Sequence, residues 1–312
     1  MKSILLLGEC MVELRNTAPS TLHQSFAGDA FNTAVYLKRL FTETPVSFAT
    51  AIGTDSFSQA MRELFKHEQI NDSWAFTSAS LIPGLYAIET DDEGERSFTY
   101  WRENSAAKQL MTFIDDKTID ALSQQHQMVF FSGISLAVIQ QEQRPLFWDM
   151  IDKMKAKGLT IVFDPNYRPR MWSTPDAAKI QFELAFSKAD ILLPGIDDFE
   201  QLYGIDNASA LIEFCSKYNA NELIIKNGPE TVISVTNGSS EAFHITPADN
   251  VVDTTSAGDS FNGAYLGARL NGHSISEAID LGAKTAAFVI QHKGAIVDAD
   301  QFKKFSLTLS IN

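Results

Sequence analysis

Short apolar runs alternate with segments of helical spacing along the first part of the chain. Ile4–Leu7 and Val46–Ile52 are apolar runs that each end at a glycine, a pattern typical of buried strands. Residues 31–40 and 57–65 follow these runs with the spacing of helices. Strands that alternate with helices indicate βαβ units and a parallel sheet.

The same alternation resumes beyond residue 128 and continues towards the end of the chain. Further strands are predicted over residues 128–132, 159–163, 191–193 and 223–226. Further helices are predicted over residues 140–157, 177–188, 257–270 and 275–290. Residues 231–235 and 242–245 flank the turn-forming pair Asn237 and Gly238, which predicts two antiparallel strands.

Residues 71–105 interrupt this pattern. Residues 85–90 alternate between two faces, a polar turn follows at residues 91–94, and residues 97–101 are predicted to form the returning strand. A β-hairpin inserted into an α/β chain is well suited to act as a lid. We therefore expect one α/β domain over residues 1–312, with a β lid mainly from about residues 71–105 and contributions from about residues 11–26.

The composition argues against several classes of function. The 312 residues include 25 Lys and Arg against 39 Asp and Glu, a formal net charge of −14. Such a chain is a poor partner for nucleic acid or an anionic membrane, and no segment approaches the roughly 18 consecutive apolar residues of a membrane helix. Cys10 and Cys215 lie far apart without metal-type spacing, so we expect a reducing compartment, the cytoplasm.

The segment with the sharpest chemical pattern is residues 253–261, Asp-Thr-Thr-Ser-Ala-Gly-Asp-Ser-Phe. Ser256, Ala257 and Gly258 are small residues where a loop enters an apolar helix, so the backbone can approach a ligand closely. The first helical turn carries unpaired N–H groups and the positive end of the helix dipole, which suit a phosphoryl group. Asp259 could accept a proton from an attacking hydroxyl there, or could only complement the helix dipole.

This segment resembles the second sequence motif of the PfkB, or ribokinase-like, family of sugar kinases, usually written D-T-T-G-A-G-D. The resemblance implies a three-layer α/β sandwich with a mostly parallel central sheet and a small β lid. It implies ATP as co-substrate and Mg²⁺, with a monovalent cation as a further candidate. It also implies that Ser256, Ala257, Gly258 and Asp259 form an anion hole and that Asp259 is the catalytic base. Ser256 replaces the usual glycine, and a small residue is expected to fit there.

Two other motifs of the family are present with departures. Residues 27–32 resemble the first motif, a glycine pair followed closely by asparagine, with Ala27 in place of the first glycine. The resemblance implies that Gly28, Asp29 and Asn32 contact the substrate. Asp29 could instead cap the helix that begins there. The N-x-x-E element of the family falls at residues 195–198, where Gly195 replaces the asparagine and Asp198 replaces the glutamate. The resemblance implies that Asp198 contributes to Mg²⁺ through water. Asp198 could instead only charge the first turn of a helix.

A narrower resemblance extends over nearly the whole chain. Residues 8–13, 81–86, 94–102, 131–136, 164–172 and 289–296 are similar, in order and spacing, to the 2-dehydro-3-deoxygluconokinases of the family. This resemblance implies a small-molecule sugar acid as the substrate, phosphorylated by ATP at its 6-hydroxyl. The implied contacts with the sugar acid are Tyr86, Tyr100, Arg102 and Arg168. The implied contacts with ATP, besides the anion hole, are Asn166, Arg168, Lys226, Gly228 and Ala283.

Arginine chemistry supports a sugar-acid site. The planar guanidinium fork suits a carboxylate, and Arg102 and Arg168 each follow a predicted strand, where open α/β sheets bind ligands. These arginines could otherwise be solvated loop charges, and Ala283 could be a helix-packing residue. The family resemblance also implies a homodimer through the β lid. A fructokinase or ribokinase of the same family, or a non-catalytic sugar-acid sensor, are the alternative functions.

Overall fold

The computed structural model describes residues 2–18, 20–90 and 96–309 of the chain. The polar turn predicted at residues 91–94 therefore lies outside the described residues. The strands of the described part, in chain order, are Ile4–Leu7 (β1), Met11–Ala18 (β2), Thr21–Ala27 (β3), Val46–Ile52 (β4), Ala75–Thr77 (β5), Leu85–Thr90 (β6), Arg96–Trp101 (β7), Met128–Ser132 (β8), Thr160–Asp164 (β9), Ile191–Leu192 (β10), Glu222–Asn227 (β11), Thr231–Thr236 (β12) and Ser239–His244 (β13).

The helices are Asp29–Leu40 (α1), Ser56–His67 (α2), Asp116–Gln125 (α3), Gly133–Val138 (α4), Arg144–Ala156 (α5), Pro175–Lys188 (α6), Ile196–Tyr203 (α7), Ala208–Cys215 (α8), Ala257–Leu270 (α9), Ile275–Val289 (α10) and Ala299–Ser306 (α11). Short 3₁₀ helices span Ala106–Phe113, Gln141–Gln143 and Pro169–Met171. Within the described ranges, none of the helices combines the length and the apolar character that crossing a bilayer requires.

The main sheet has the strand order β13-β12-β11-β10-β9-β8-β1-β4-β5. Neighbours from β5 through β11 run parallel, whereas β12 and β13 form an antiparallel edge. Strand β1 is buried on both faces, because Ile4 and Leu6 belong to one apolar core and Leu5 and Leu7 to the other. Helices cover each face of the sheet, which confirms the predicted three-layer α/β architecture.

The small sheet has the strand order β3-β2-β6-β7. Strands β2 and β6 run parallel, and the other two pairs are antiparallel. Its register aligns one residue from each strand in a row across the sheet. Glu13 lies opposite Ser25 on one side and Tyr86 on the other, and Tyr86 lies opposite Tyr100. Successive side chains of a strand alternate between faces, so these four side chains share one face.

Several element boundaries differ from the sequence-based expectations for physical reasons. Helix α5 begins at Arg144 rather than at residue 140, because Pro145 fits only the first helical turn. Backbone N–H groups of that turn have no carbonyl acceptor within the helix, so a proline there sacrifices no hydrogen bond. Strand β13 begins at Ser239 rather than at residue 242. Asn237 and Gly238 both have positive φ, 51° and 75°, and this tight turn lets pairing start at once.

Helix α9 packs against α1, and this packing brings together two segments that are far apart in sequence. A Cβ atom on Gly263 would lie 2.6 Å from the carbonyl oxygen of Thr33 and 2.9 Å from the backbone nitrogen of Leu37. Only glycine allows the two helix backbones to approach this closely. The close packing sets the amino terminus of α1 beside that of α9.

Candidate active site

A large cleft lies at the carboxyl ends of the parallel strands and is lined by residues of both sheets, with a cavity volume of about 1490 Å³. Every site residue expected from the sequence lines this cleft: Gly28, Asp29, Asn32, Tyr86, Tyr100, Arg102, Asn166, Arg168, Asp198, Lys226, Gly228, Ser256, Ala257, Gly258, Asp259 and Ala283. These residues come from segments far apart in sequence. Their shared location defines the candidate active site.

The amino terminus of α9 opens into the cleft. Ser256 precedes the helix with φ 65° and ψ 13°, in the left-handed region where glycine is favoured. This conformation explains why the family motif usually has glycine here, and it strains serine by about 1–2 kcal/mol. A Cβ atom on Gly258 would lie 3.6 Å from Nζ of Lys226, so the first turn lies directly beside this cation. The first-turn N–H groups and the ammonium together favour an anion.

The carboxylate of Asp259 is held by an amide from α1. Nδ2 of Asn32 donates to Oδ2 of Asp259 at 2.9 Å, and the backbone N–H of Gly28 donates to Oδ1 of Asn32 at 3.3 Å. The second bond fixes the orientation of the amide, so its N–H₂ group points at the carboxylate. Burial, with a smaller contribution from the charge of Asp29, raises the pKa of Asp259 to about 7.

Asp29 has a different role from the helix cap considered above. The residue that precedes α1 is Gly28, and no side chain caps this helix. Oδ2 of Asp29 instead accepts hydrogen bonds from Oγ of Ser132 at 2.5 Å and from Nδ2 of Asn166 at 3.0 Å. Burial raises the pKa of Asp29, although these hydrogen bonds oppose the shift. Asp29 therefore links α1 to the ends of β8 and β9.

Lys226 and Asp164 form an ion pair in the wall of the cleft, 18% and 4% exposed. Oδ2 of Asp164 accepts from Nζ of Lys226 at 3.1 Å and from Nδ2 of Asn262 at 2.6 Å. Its other oxygen, Oδ1, is buried and has no hydrogen-bond partner within the described residues. Sequence reasoning missed Asp164 as a site residue, although it immediately precedes Pro165 and Asn166 in a motif that had been singled out.

Asp198 lies on the first turn of α7 at the edge of the same cluster. Its Oδ1 accepts from the backbone N–H of Tyr167 at 2.8 Å, and Nη1 of Arg168 lies 3.8 Å away. Burial, together with the charge of Asp164, raises the pKa of Asp198 to about 6. In the described ranges no group of three or more acidic, histidine or cysteine side chains could enclose a metal. One or two carboxylates beside a phosphate site nevertheless match the way proteins commonly hold Mg²⁺.

The far end of the cleft is lined by small and apolar residues. Gly228 follows β11 with φ 70°, and Ala283 and Ala287 contribute from α10. The family resemblance implies that Gly228 and Ala283 contact ATP, and both lie in this part of the cleft wall.

The opposite end of the cleft carries the arginine and tyrosines expected for a sugar acid. Nη2 of Arg102 is paired with the carboxylate of Glu9, and Nη1 lies 3.5 Å from Sδ of Met171. The guanidinium also lies 6.0 Å from the centre of the Tyr100 ring. Arg102 is thus anchored and is not a solvated loop charge. The Arg168 side chain, in contrast, is 54% exposed.

Two buried carboxylates support this end of the cleft. Glu9 and Glu13 are each only 2% exposed. Glu9 pairs with Arg102, and Glu13 accepts a hydrogen bond from the hydroxyl of Tyr86. Sequence reasoning noted residues 8–13 as a motif but assigned these residues no role. Two acidic residues around the apolar run of residues 10–12 were the available signal, because buried carboxylates need partners.

The family model described as pfkB family carbohydrate kinase matches residues 1–301. The chain belongs to this family of carbohydrate kinases. A 2-dehydro-3-deoxygluconokinase of Haemophilus influenzae is 35% identical to this PfkB kinase over 302 residues, which cover 96% of each chain. Another, from Dickeya dadantii, is 36% identical over 303 residues, which cover 95% of this chain and 97% of the relative.

Solved structures share the fold of this PfkB kinase at lower sequence identity. The crystal structure of a fructokinase with bound ATP from Xylella fastidiosa superposes with a TM-score of 0.84 at 20% identity, covering 99% of this chain and 98% of that one. The ribokinase-like fold is therefore confirmed. The family match and the two relatives confirm the phosphotransferase class expected from residues 253–261. PfkB kinases use ATP, so ATP is also confirmed as the co-substrate class.

Proposed function

We propose that this PfkB kinase transfers the γ-phosphoryl group of ATP to 2-dehydro-3-deoxy-D-gluconate and forms the 6-phosphate. The observation that carries the proposal is the presence of Arg102 and Asp259 in one cleft. A sugar acid needs a cation for its carboxylate and a base for its reacting hydroxyl, and these two residues meet both needs. Two relatives about 35% identical along almost their full length are named for this reaction, which supports the same substrate.

In the proposed reaction, Asp259 accepts the proton of the 6-hydroxyl as the oxygen attacks the γ-phosphorus and the bond to ADP breaks. A pKa of about 7 lets Asp259 accept this proton near neutral pH. Asn32 holds the carboxylate in position through its 2.9 Å hydrogen bond. The N–H groups of residues 256–259 and the ammonium of Lys226 stabilise charge on the transferring group. Arg168 approaches the phosphates from the cleft rim.

The same cluster fits a magnesium ion. Asp164 offers a buried oxygen that has no partner within the described residues, and Asp198 adds a second carboxylate. These two residues would hold Mg²⁺ directly or through water, and the ion would supply positive charge to the ATP phosphates. We keep the monovalent cation as a prediction of the family resemblance, which a comparison of turnover in K⁺ and Na⁺ tests.

The small sheet would act as the lid and as the contact between two copies of the chain. Tyr86 and Tyr100 face the cleft from this sheet, so closure would exclude water from the reacting groups. Leu22 and Trp101 lie on the opposite face and are 53% and 58% exposed, which suits a homodimer through the lid. The buried free thiols of Cys10 and Cys215 fit the reducing cytoplasm.

The decisive experiment is ATP turnover across a panel of 2-dehydro-3-deoxy-D-gluconate, fructose and ribose. We expect the sugar acid to give the highest kcat/KM, with ADP formed in a one-to-one ratio to phosphorylated acid. Highest turnover on fructose or ribose would assign a neutral-sugar kinase of the same family. Binding of the acid without any ADP formation would assign a sugar-acid sensor, and Asp259→Asn is the matched inactive control in each assay.

A further inference from the structure

Glu13 connects two hydroxyl groups across the lid sheet. Its Oε1 accepts from Oγ of Ser25 at 2.8 Å, and its Oε2 accepts from the phenol of Tyr86. The three residues come from adjacent strands and are aligned by the register of β3, β2 and β6. Because Glu13 is only 2% exposed, its carboxylate is shielded from bulk water.

The chemistry of a carboxylate fixes the direction of both hydrogen bonds. A carboxylate only accepts, so each hydroxyl must donate its single proton to Glu13. Burial and the neighbouring charge of Glu13 raise the pKa of Tyr86 far above its usual value, so the phenol keeps its proton at neutral pH. The Tyr86 oxygen therefore has only lone pairs left to offer to another partner.

The two sides of Tyr86 face different surroundings. Tyr86 lines the cleft, whereas Glu13, beside it on β2, does not contribute to the cleft wall. The ring of Tyr86 lies beside that of Tyr100, with 5.7 Å between their centroids, which limits how far the phenol can turn. At the same end of the cleft, Arg102 offers only donors. The two residues thus present opposite hydrogen-bonding characters to a ligand.

We propose that Glu13 is a specificity-determining positioning residue. It directs the Tyr86 proton away from the cleft, so that the Tyr86 oxygen accepts a hydrogen bond from a hydroxyl of the substrate. The inference rests on the proposed function and deepens it. A sugar acid would place its carboxylate at the donors of Arg102 and a hydroxyl at the acceptor Tyr86. A ligand with a carbonyl, ether or fluorine facing Tyr86 would place its lone pairs against those of the Tyr86 oxygen and would bind more weakly.

Fluorinated analogues of the acid test this polarity, because fluorine replaces a hydroxyl without being able to donate. The hydroxyls at C4 and C5 are the candidates, since the 6-hydroxyl is the acceptor of the phosphoryl group. Titration calorimetry without nucleotide would give Kd for the parent acid and for the 4-deoxy-4-fluoro and 5-deoxy-5-fluoro analogues. We expect one analogue to bind about three- to tenfold more weakly than the parent, the range of one neutral hydrogen bond.

Three variants locate the origin of that loss. Tyr86→Phe removes the acceptor, so the parent acid and the sensitive analogue should bind within twofold of each other. Glu13→Gln keeps the shape but offers both a donor and an acceptor to Tyr86, so the loss should shrink without vanishing. Ser25→Ala is the matched control, because it removes the other hydroxyl on Glu13 and leaves the Tyr86 bond, and it should retain the full loss.

The outcomes separate this inference from the proposed function. If the parent acid binds and is phosphorylated, but neither analogue loses more than twofold, Tyr86 does not read a donor and the inference is wrong. An equal loss in the parent protein, Tyr86→Phe and Glu13→Gln would also overturn it, because Glu13 would then serve only to join strands. If the parent acid is neither bound nor phosphorylated, the proposed function itself fails.

Discussion

Replacing Arg102 with alanine should weaken substrate binding and should also destabilise the fold. Arg102 is 18% exposed and is paired with Glu9, which is 2% exposed and whose second carboxylate oxygen already has no partner within the described residues. The substitution would leave a buried charge without a counter-ion. Breaking a buried pair from one side costs about 3–5 kcal/mol, and we expect a loss near the lower limit because the cleft admits water.

The effect on the substrate follows from the same geometry. A hydrogen bond to a charged group contributes about 1.5–3 kcal/mol, so Arg102→Ala should raise the KM for the sugar acid by about ten- to a hundredfold. The Glu9 carboxylate, left without its counter-ion, would further repel the substrate carboxylate. The KM for ATP should change by less than about twofold, since ATP is expected at the other end of the cleft. Arg102→Lys should recover only part of the loss, because an ammonium cannot reproduce the guanidinium fork.

Adding Glu9→Gln to Arg102→Ala tests whether the pair is coupled. The amide introduced by Glu9→Gln removes the buried, unpaired charge. The double variant should therefore regain at least about 1 kcal/mol of the free energy of unfolding and part of the affinity for the acid. Guanidinium unfolding and steady-state kinetics would measure the two quantities. Lys157→Ala is the matched stability control: it breaks an exposed pair with Asp120 at 2.7 Å and should change stability by about 0.5 kcal/mol or less.

Two results would refute this reasoning. If Arg102→Ala unfolds at the same denaturant concentration as the parent protein, Glu9 does not depend on its partner. If Arg102→Ala weakens the acid and a neutral analogue without the carboxylate equally, Arg102 is a structural residue of the lid and acid selectivity must come from elsewhere in the cleft.

Four further predictions address the reacting groups and the lid. Asp259→Asn should lower kcat by about 10²–10⁴-fold while the Kd for the acid changes little, and turnover within a few-fold of the parent protein would exclude the base role. Because Asp259 must be ionised to accept a proton and its pKa is about 7, kcat/KM for the acid at saturating ATP should rise about tenfold per pH unit below 7 and level off above it; a flat profile between pH 5.5 and 8 would contradict this assignment. Ser256→Gly should keep kcat within about threefold, whereas Ser256→Val, a β-branched residue in the left-handed region, should lose stability or activity, and equal behaviour of the two would show that the conformation is unimportant. Saturating sugar acid should slow hydrogen exchange in Leu85–Thr90 and Arg96–Trp101, and unchanged exchange would argue against a closing lid.

Local patterns were enough to predict the architecture, and they also singled out the segment at the centre of the candidate site. The apolar runs of β1 and β4 are buried on both faces, so their composition alone identifies them as central parallel strands. The amino terminus of α9 is also a local feature, because small residues and the helix start are contiguous in sequence. Asp259 could therefore be located before any tertiary contact was known.

The supporting residues could not be predicted because their roles depend on register. Glu9 and Glu13 acquire their partners only when β2 lies beside β6, and no local pattern specifies that pairing. The role of Asp29 could not be predicted for the same reason. Its hydrogen-bond partners, Ser132 and Asn166, lie more than 100 residues away in sequence. The start of α5, in contrast, could have been predicted from the local sequence, because Pro145 marks a first helical turn.

The close contact between α1 and α9 has a consequence for synthesis. Asn32 and Asp259, joined by one hydrogen bond, are separated by 227 positions along the chain. A ribosome would release the strands of the parallel sheet long before it releases α9. The emerging polypeptide would therefore contain Asn32 but would still lack the carboxylate of Asp259. Catalytic competence would therefore appear abruptly and late in translation, and a nascent chain stalled before residue 257 would be inert however well its earlier strands had folded.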